Sequence, residues 1–507
     1  MAREYTTGLA FSMYPPLQGQ IAMARPADSL TNSSQTESRS EEGFRRVLGP
    51  FSAMSVVIGA IVGIGIFFTP QSIARSAGSG ELAMAAWVVG GLIALVGALT
   101  FAELGSLYSR TAGQYEILRD AYGAFVGFVY VFCNATIVQA GAIAVIAYYT
   151  ALNFGIGMIP DVDLGKQHQW NLMVATVMIV GLTIANLIGV RWGAYLQNVT
   201  VVAKLATLLA ITGLAIFLRP EAATVAVTPP ADEPVSRWGF LTAITITLFS
   251  YGGWQQALWV GGEIRDPRRN VPRAIIFGVL VVIAIYLLVN WAYLQLLGYA
   301  RMVSPDTQAL AADAVGQVWP VWGRRAVALA VAFSGFGVLN AQLLTGPRLI
   351  CGMARDGKFF SMFGNVHARW GTPVAAILML GGLGLGLLLG MEGLALALKM
   401  FSSGDAAASK TGVDYIDSLT NGVVLVDSVL FMLTGLAVIF LRQKFKDSPE
   451  AIRMPLYPLF PLLFAIGELI VLVGAFMLPK YRDGAIIGLI WILMAAVFYA
   501  VFFRKSR

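Results

Sequence analysis

The sequence predicts an all-α polytopic membrane protein with about twelve transmembrane helices, and three observations predict it. Apolar runs of twenty or more residues recur along the 507-residue chain, each long enough to cross roughly 30 Å of hydrocarbon. The composition is 57% hydrophobic and only 12% charged. Most of these runs are also apolar all round, which excludes a large soluble helical protein, whose helices would show a polar face. The net charge of +7 does not point to nucleic acid, because in a membrane protein the placement of charge carries the information. Cys133 and Cys351 fall in or beside apolar segments and give neither a disulfide framework nor a metal pattern.

In chain order, residues 1–45 lack helical or strand periodicity and read as a disordered tail. The tail has no apolar run long enough for a secretory signal, so the first span is expected to act as the signal. Twelve spans follow, at 50–76, 82–107, 121–151, 170–189, 194–218, 239–262, 273–297, 326–352, 373–392, 421–441, 454–478 and 484–503. With the amino terminus placed in the cytoplasm, tails and cytoplasmic loops hold most of the 35 Lys and Arg. That bias favours both termini facing in. The basic segments 265–273 and 348–369 supply much of it, and both also read as simple topology determinants.

The chain is organised around Gly59-Ala60-Ile61-Val62-Gly63-Ile64-Gly65-Ile66-Phe67-Phe68-Thr69-Pro70. Three glycines and a proline weaken a helix where no water takes up freed backbone groups. Two readings fit: an unwound site that holds a polar solute, or small residues that let a neighbouring helix approach. The sixth span repeats the pattern at Phe249-Ser250-Tyr251-Gly252-Gly253-Trp254-Gln255. Interrupted first and sixth spans suggest two five-helix halves, 46–218 and 239–441. An odd number of helices per half forces the copies into opposite orientations, with a binding site between them. Residues 454–503 then form accessory spans, and 504–507 a cytoplasmic end.

Lys204 sits about ten residues into its span, roughly 15 Å deep, where a lysine costs on the order of 2.5–3.5 kcal/mol. It either snorkels or works: a buried ammonium can stand in for a metal cation or carry a proton. Tyr286, Asn290 and Tyr293 share a helix face and either reach a site or bond to neighbouring helices. Asn134 and Asn340 read as packing contacts. Glu103 and Asp427 lie near span ends, where interfacial solvation explains them, while Glu468 lies deeper with no assigned partner. His168 and His367 fall in predicted loops, and no metal or nucleophile constellation supports an enzyme.

These residues, taken together, resemble the amino acid-polyamine-organocation transporters, and in particular the L-type amino-acid transporter family. The likeness runs from Val62–Pro70 through Ala102-Glu103-Leu104-Gly105, Lys204, Phe249–Trp254 and Glu263–Ile275 to Asn340–Gly357 with Arg348, Arg355 and Gly357. It covers most of residues 50–505. The resemblance implies a LeuT-like fold with a 5+5 inverted repeat and amino-acid transport by alternating access. It implies a substrate carboxylate on the N–H groups of Gly63, Ile64 and Gly65, and a substrate ammonium on the carbonyls of Ile61, Phe249, Ser250 and Gly252. Phe249 matches the family's aromatic gate. Lys204 matches a lysine in the place where sodium-coupled relatives hold an ion, and Tyr286 a tyrosine in that lysine's hydrogen-bonded network.

Two departures shape the expectation. Ile64 stands where many relatives have serine, alanine or threonine, which removes a hydroxyl and favours small neutral substrates such as alanine or serine. Residues 153–170 contain no cysteine, so no disulfide-linked heavy subunit is expected, as in bacterial-type members. The segment 393–420 is longer than the family needs. The expected protein is a sodium-independent amino-acid exchanger of the plasma or inner membrane, multi-pass, with both termini cytoplasmic. Its partners are an amino-acid substrate and the lipid bilayer, with no nucleic acid, cofactor or metal. Proton-coupled symport through Lys204, transport of polyamines or other cations, and nutrient sensing are the alternatives.

Overall fold

A computed structural model of the chain describes residues 44, 46–63, 65–108, 110–159, 164–218, 238–304, 307, 309–401, 412–446, 452–477 and 479–504. The expected tail, apart from Phe44, lies outside them, as do Ile64, residues 402–411 of the long segment and the last three residues. The first span divides into α1 (Pro50–Ile61) and α2 (Thr69–Ala77), with a single 3-10 turn at Gly65–Phe67 between them. α1 stops where Val62 leaves helical geometry. Pro70 restarts the helix in its first turn, where a missing N–H costs nothing. α3 (Gly80–Leu107) opens at Ser79, whose Oγ accepts the Leu82 N–H at 3.1 Å.

The chain continues through α4 (Gly113–Tyr122), α5 (Ala124–Cys133), a π turn at Asn134–Gln139 and α6 (Ala140–Met158). α7 (Leu164–Ile188) and α8 (Val190–Phe217) follow. The sixth span divides into α9 (Gly239–Tyr251) and the short α10 (Gln256–Trp259). After them come α11 (Pro267–Met302), α12 (Leu310–Gly316), α13 (Trp322–Arg355) and α14 (Val374–Phe401). The last three are α15 (Gly412–Lys444), α16 (Leu459–Met477) and α17 (Pro479–Phe502).

Among the described residues, nine helical segments are long and apolar enough to cross a membrane: α3, α5 with α6, α7, α8, α11, α13, α14, α15 and α17. The shorter apolar α16 and the two divided helices account for the other expected spans. Among the described residues there are no strands, only two isolated bridges. One of them clips the approach to α1 onto the exit from α10: Leu48 N–H donates to the Glu263 carbonyl at 2.9 Å, and Arg265 N–H to the Leu48 carbonyl at 2.9 Å.

Two elements were not legible as spans. α4 buries Tyr115, Ile117 and Leu118 and carries Glu116, Arg119 and Asp120, and its ten residues reach only about 15 Å. Its charges form a surface knot. Asp120 accepts from Tyr108 Oη at 3.0 Å and pairs with Arg119 at 2.9 Å and Lys444 at 3.5 Å, while Arg119 also binds Asp356. α12 is shorter still. α11, conversely, continues past the expected end to Met302 through a kink at Gly298, whose φ is +70°.

α1 packs on α8 and α11, α2 and α3 on α9, and α13 on α6 and α8, so both divided helices lie within the bundle. The two divided helices meet at Gly253, whose φ is +130°. A Cβ there would stand 2.9 Å from the Ala60 carbonyl carbon and 3.0 Å from Ile61 N. Only glycine combines that conformation with that contact.

Candidate functional site

The two breaks face a common chamber of about 510 Å3. Ile61, Gly63, Gly65, Phe249, Ser250 and Gly252 all line it, so the structure brings together every described residue to which the sequence assigned a substrate contact. Ile64 lies outside the described residues. Phe249 lines the chamber while 48% exposed.

Lys204 and Tyr286 do not line the chamber; they hold the first break from behind. Lys204 is fully buried, and its Nζ donates to the Val62 carbonyl at 2.7 Å and the Gly59 carbonyl at 3.3 Å. Tyr286 Oη donates to the Ile61 carbonyl at 3.0 Å. Three of the four carbonyls that end α1 are thus satisfied by side chains from α8 and α11. Helix ends leave such groups orphaned, and in a membrane no water takes them up. Tyr286 is itself wedged edge-on against Trp87 and tilted on Tyr251, with ring centroids 5.5 Å and 5.3 Å away.

This arrangement changes two of the expected roles. The Ile61 carbonyl already accepts from Tyr286 and from the Gly63 N–H at 2.8 Å, which uses both of its lone pairs. It is therefore not an open acceptor for a substrate ammonium, and the Gly63 N–H is spent on it. Gly65 N–H has no partner among the described residues, while its carbonyl takes the Phe68 N–H at 2.9 Å and Thr69 Oγ1 at 3.0 Å. At the second break the Phe249 carbonyl accepts the Gly252 N–H at 3.1 Å, which leaves it one lone pair. Ser250 Oγ donates to the Ile246 carbonyl at 2.8 Å, and its oxygen lies 3.1 Å from Thr69 Oγ1 where α9 meets α2.

Several polar residues of the chamber were not assigned from the sequence. Gln139, Gln255, Gln256, Gln342, Asp427, Ser428 and Glu468 all line it. Gln256 Nε2 donates to Gln342 Oε1 at 2.9 Å, and Thr345 Oγ1 to Gln256 Oε1 at 2.9 Å, which fixes that pair. Asp427 is a correction: it faces the chamber rather than an interface. Glu103 is another. It is buried, ion-paired with Arg442 at 3.2 Å, and accepts the Met454 N–H at 2.9 Å. The available signal was a polar residue inside an apolar run, which marks depth along a helix but not the face it occupies.

The remaining polar residues hold helices together. Asn340 Nδ2 donates to the Gly193 carbonyl at 2.9 Å and Asn186 Nδ2 to Asn340 Oδ1 at 3.1 Å, the packing role expected for Asn340. Asn290 Nδ2 bonds to the Tyr286 carbonyl of its own helix at 2.7 Å. His168 lies inside α7 rather than in a loop, between Tyr148 Oη and Glu392 Oε1. The fully buried Arg348 pairs with the fully buried Glu263 at 2.8 Å. Among the described residues no group of His, Cys, Asp and Glu is arranged to hold a metal.

Membrane-length helices around two interrupted helices whose breaks share one chamber define a secondary transporter of the broken-helix class. The amino acid permease family matches residues 48–503, and the chain belongs to that family. An amino acid permease is a membrane transporter and not an enzyme. The chain is 27% identical over 472 residues to the serine/threonine exchanger SteT of Bacillus subtilis (strain 168), covering 92% of this chain and 99% of that protein. It is 27% identical over 478 residues to the human b(0,+)-type amino acid transporter 1, covering 93% and 90%. It is also 27% identical over 431 residues to the mouse large neutral amino acids transporter small subunit 2, covering 83% and 75%.

Proposed function

We propose that the chain moves α-amino acids across the plasma or inner membrane by alternating access, exchanging one for another without sodium. The observation that carries this reading is the one-sided satisfaction of the first break. Lys204 and Tyr286 satisfy three of the four carbonyls that end α1 from behind, while Gly65, which lines the chamber, has an N–H with no partner among the described residues. An unpartnered amide in the break can donate to a substrate carboxylate, the contact that the resemblance assigns to Gly65. The Phe249, Ser250 and Gly252 carbonyls then take the ammonium, and Phe249 closes over the substrate.

Sodium independence follows from the same contacts. The Lys204 amino group, which the resemblance sets where sodium-coupled relatives hold an ion, is bonded to the Gly59 and Val62 carbonyls. The likeness to a serine/threonine exchanger supports both the exchange mode and small neutral substrates. Proton-coupled uptake is the second reading. It is favoured by the absence, among the described residues, of a carboxylate bonded to Lys204.

In this reading 46–218 and 239–441 are the inverted repeats, 454–503 are accessory, and both termini are cytoplasmic. The chain works without a disulfide-linked partner, in keeping with the burial of both Cys133 and Cys351. Competition against labelled alanine in proteoliposomes tests the site. Propionate and alaninamide each lack one charged group worth roughly 1.5–3 kcal/mol, so each is expected to inhibit at least about tenfold more weakly than serine. Inhibition by either as strong as by serine would reject recognition at both breaks.

A further inference from the structure

The chamber ends one helical turn short of a fully buried glutamine. Gln256 of α10 and Phe431 of α15 line the chamber. Trp259 and Thr434 each lie three residues further along the same two helices, one turn beyond it. Both bond to Gln114 of the short helix α4. Trp259 Nε1 donates to Gln114 Oε1 at 3.0 Å, and Gln114 Nε2 donates to Thr434 Oγ1 at 3.0 Å. Tyr130 Oη of α5 donates to the same Oε1 at 2.7 Å, which fills both lone pairs of that oxygen. An indole N–H only donates, so Trp259 also fixes which way the amide points. All four side chains are 1% exposed or less.

A second observation comes from the backbone. Ala112, at the start of α4, is left-handed, with φ +63° and ψ +29°. A residue with a Cβ rarely adopts that conformation, and it persists only where the surroundings impose it. Its N–H donates to the Trp259 carbonyl at 2.9 Å, and Thr111 bridges to Val260 beside it. α4 therefore grips Trp259 by backbone and side chain together. Its other side is bonded to α15, where Tyr122 Oη donates to the Leu433 carbonyl at 2.8 Å.

α10 is the half-helix beyond the second break. Through the Leu48 clip it is tied to the start of α1, the half-helix before the first break. Gln114 joins this pair to α4, α5 and α15. A solute that leaves the chamber at this end, between α10 and α15, parts Trp259 from Gln114.

We infer that Gln114 is a positioning residue of the transport cycle: by holding the Trp259 indole it sets α10 closed over the inner end of the chamber, and its release opens that end. The inference rests on the transporter reading above, in which α4 faces the cytoplasm.

Sided labelling of the chamber tests it. Ala142 lines the chamber and Cys133 and Cys351 are buried, so the thiol of Ala142→Cys reports access for a membrane-impermeant maleimide. Labelling rates in inverted membrane vesicles and in intact cells give the ratio of inner to outer access. Gln114→Leu leaves the indole N–H without its acceptor while α10 is closed, and is expected to raise the ratio about tenfold. Trp259→Phe keeps a ring and loses the N–H; it is expected to raise the ratio less, and serves where the first variant fails to fold. In the Trp259→Phe background, Gln114→Leu is expected to add nothing. Tyr130→Phe removes the other bond to the same oxygen, and is expected to lower thermal stability while leaving the ratio unchanged. An unchanged ratio in folded Gln114→Leu or Trp259→Phe, additive rises in the double variant, or an equal rise in Tyr130→Phe overturns the latch while alanine exchange stands. No exchange and no stabilisation by any amino acid overturns the transporter reading and the latch with it.

Discussion

At the first helix break the polar groups are backbone carbonyls, and Lys204 and Tyr286 reach in to hold them. At α15 and α16 the polar groups are carboxylates, and among the described residues no cation holds them. The difference separates two uses of a buried charge. Lys204 spends its charge on the fold, fixing an unwound segment that would otherwise leave carbonyls unbonded in hydrocarbon. Asp427 and Glu468 line the chamber instead. Arg348 and Glu263 show the first use in its simplest form, each fully buried and each the other's partner.

The comparison can be broken most sharply at that pair. Arg348→Met leaves Glu263 buried and unpaired, and is expected to destabilise the protein by roughly 3–5 kcal/mol. Adding Glu263→Gln should restore part of the loss. Thermal unfolding of the purified single and double variants measures both. An Arg348→Met protein as stable as the unmodified one would show that partnered charges are not what holds this bundle.

Lys204→Ala comes next. It removes two charge-assisted bonds of roughly 1.5–3 kcal/mol each, and the insertion cost of a mid-membrane lysine disappears with them. Membrane insertion is expected to be unchanged or improved, and amino-acid exchange lowered at least about tenfold. Exchange at the unmodified rate in a folded Lys204→Ala protein would remove the argument that the first break needs support from behind.

The smallest effect is expected at the surface. Burial raises the Asp120 carboxyl, but the hydrogen bond and charge of Arg119, with Tyr108 and Lys444, outweigh it and leave the group below its usual 3.8. A carboxyl depressed by folding contributes stability that is complete above its unfolded value and is lost as pH falls through the folded one. The stability advantage over Asp120→Asn should therefore be constant near neutrality and shrink below about pH 3.8. An advantage that grows on acidification would contradict the pairing.

Much of this architecture was legible in the sequence, because the bilayer imposes it. Length and hydropathy found the spans, and the glycines of 59–65 and 252–253 marked both breaks. Depth alone singled out Lys204. Its targets were not legible, since pairing a lysine on α8 with carbonyls at the end of α1 is a long-range contact with no local signature. Asp427 and Glu103 were misplaced for a related reason. Position along a span gives height in the membrane, but hydropathy does not distinguish a face that meets water from one that meets Arg442 or a chamber. α4 escaped notice because Glu116, Arg119 and Asp120 interrupt the apolar run that would have announced it. Gln139 reaches the chamber from a π turn, a departure from helical register that residue type does not report.

Exchange and proton-coupled uptake differ in what drives substrate through the chamber. The decisive measurement is uptake of labelled alanine into proteoliposomes with and without unlabelled amino acid inside, each at symmetric pH and with an inward proton gradient. Uptake that requires internal amino acid and ignores the gradient is the predicted result, with Lys204 a fixed cation. Uptake into empty vesicles driven by the gradient would contradict it and make Lys204 a proton carrier.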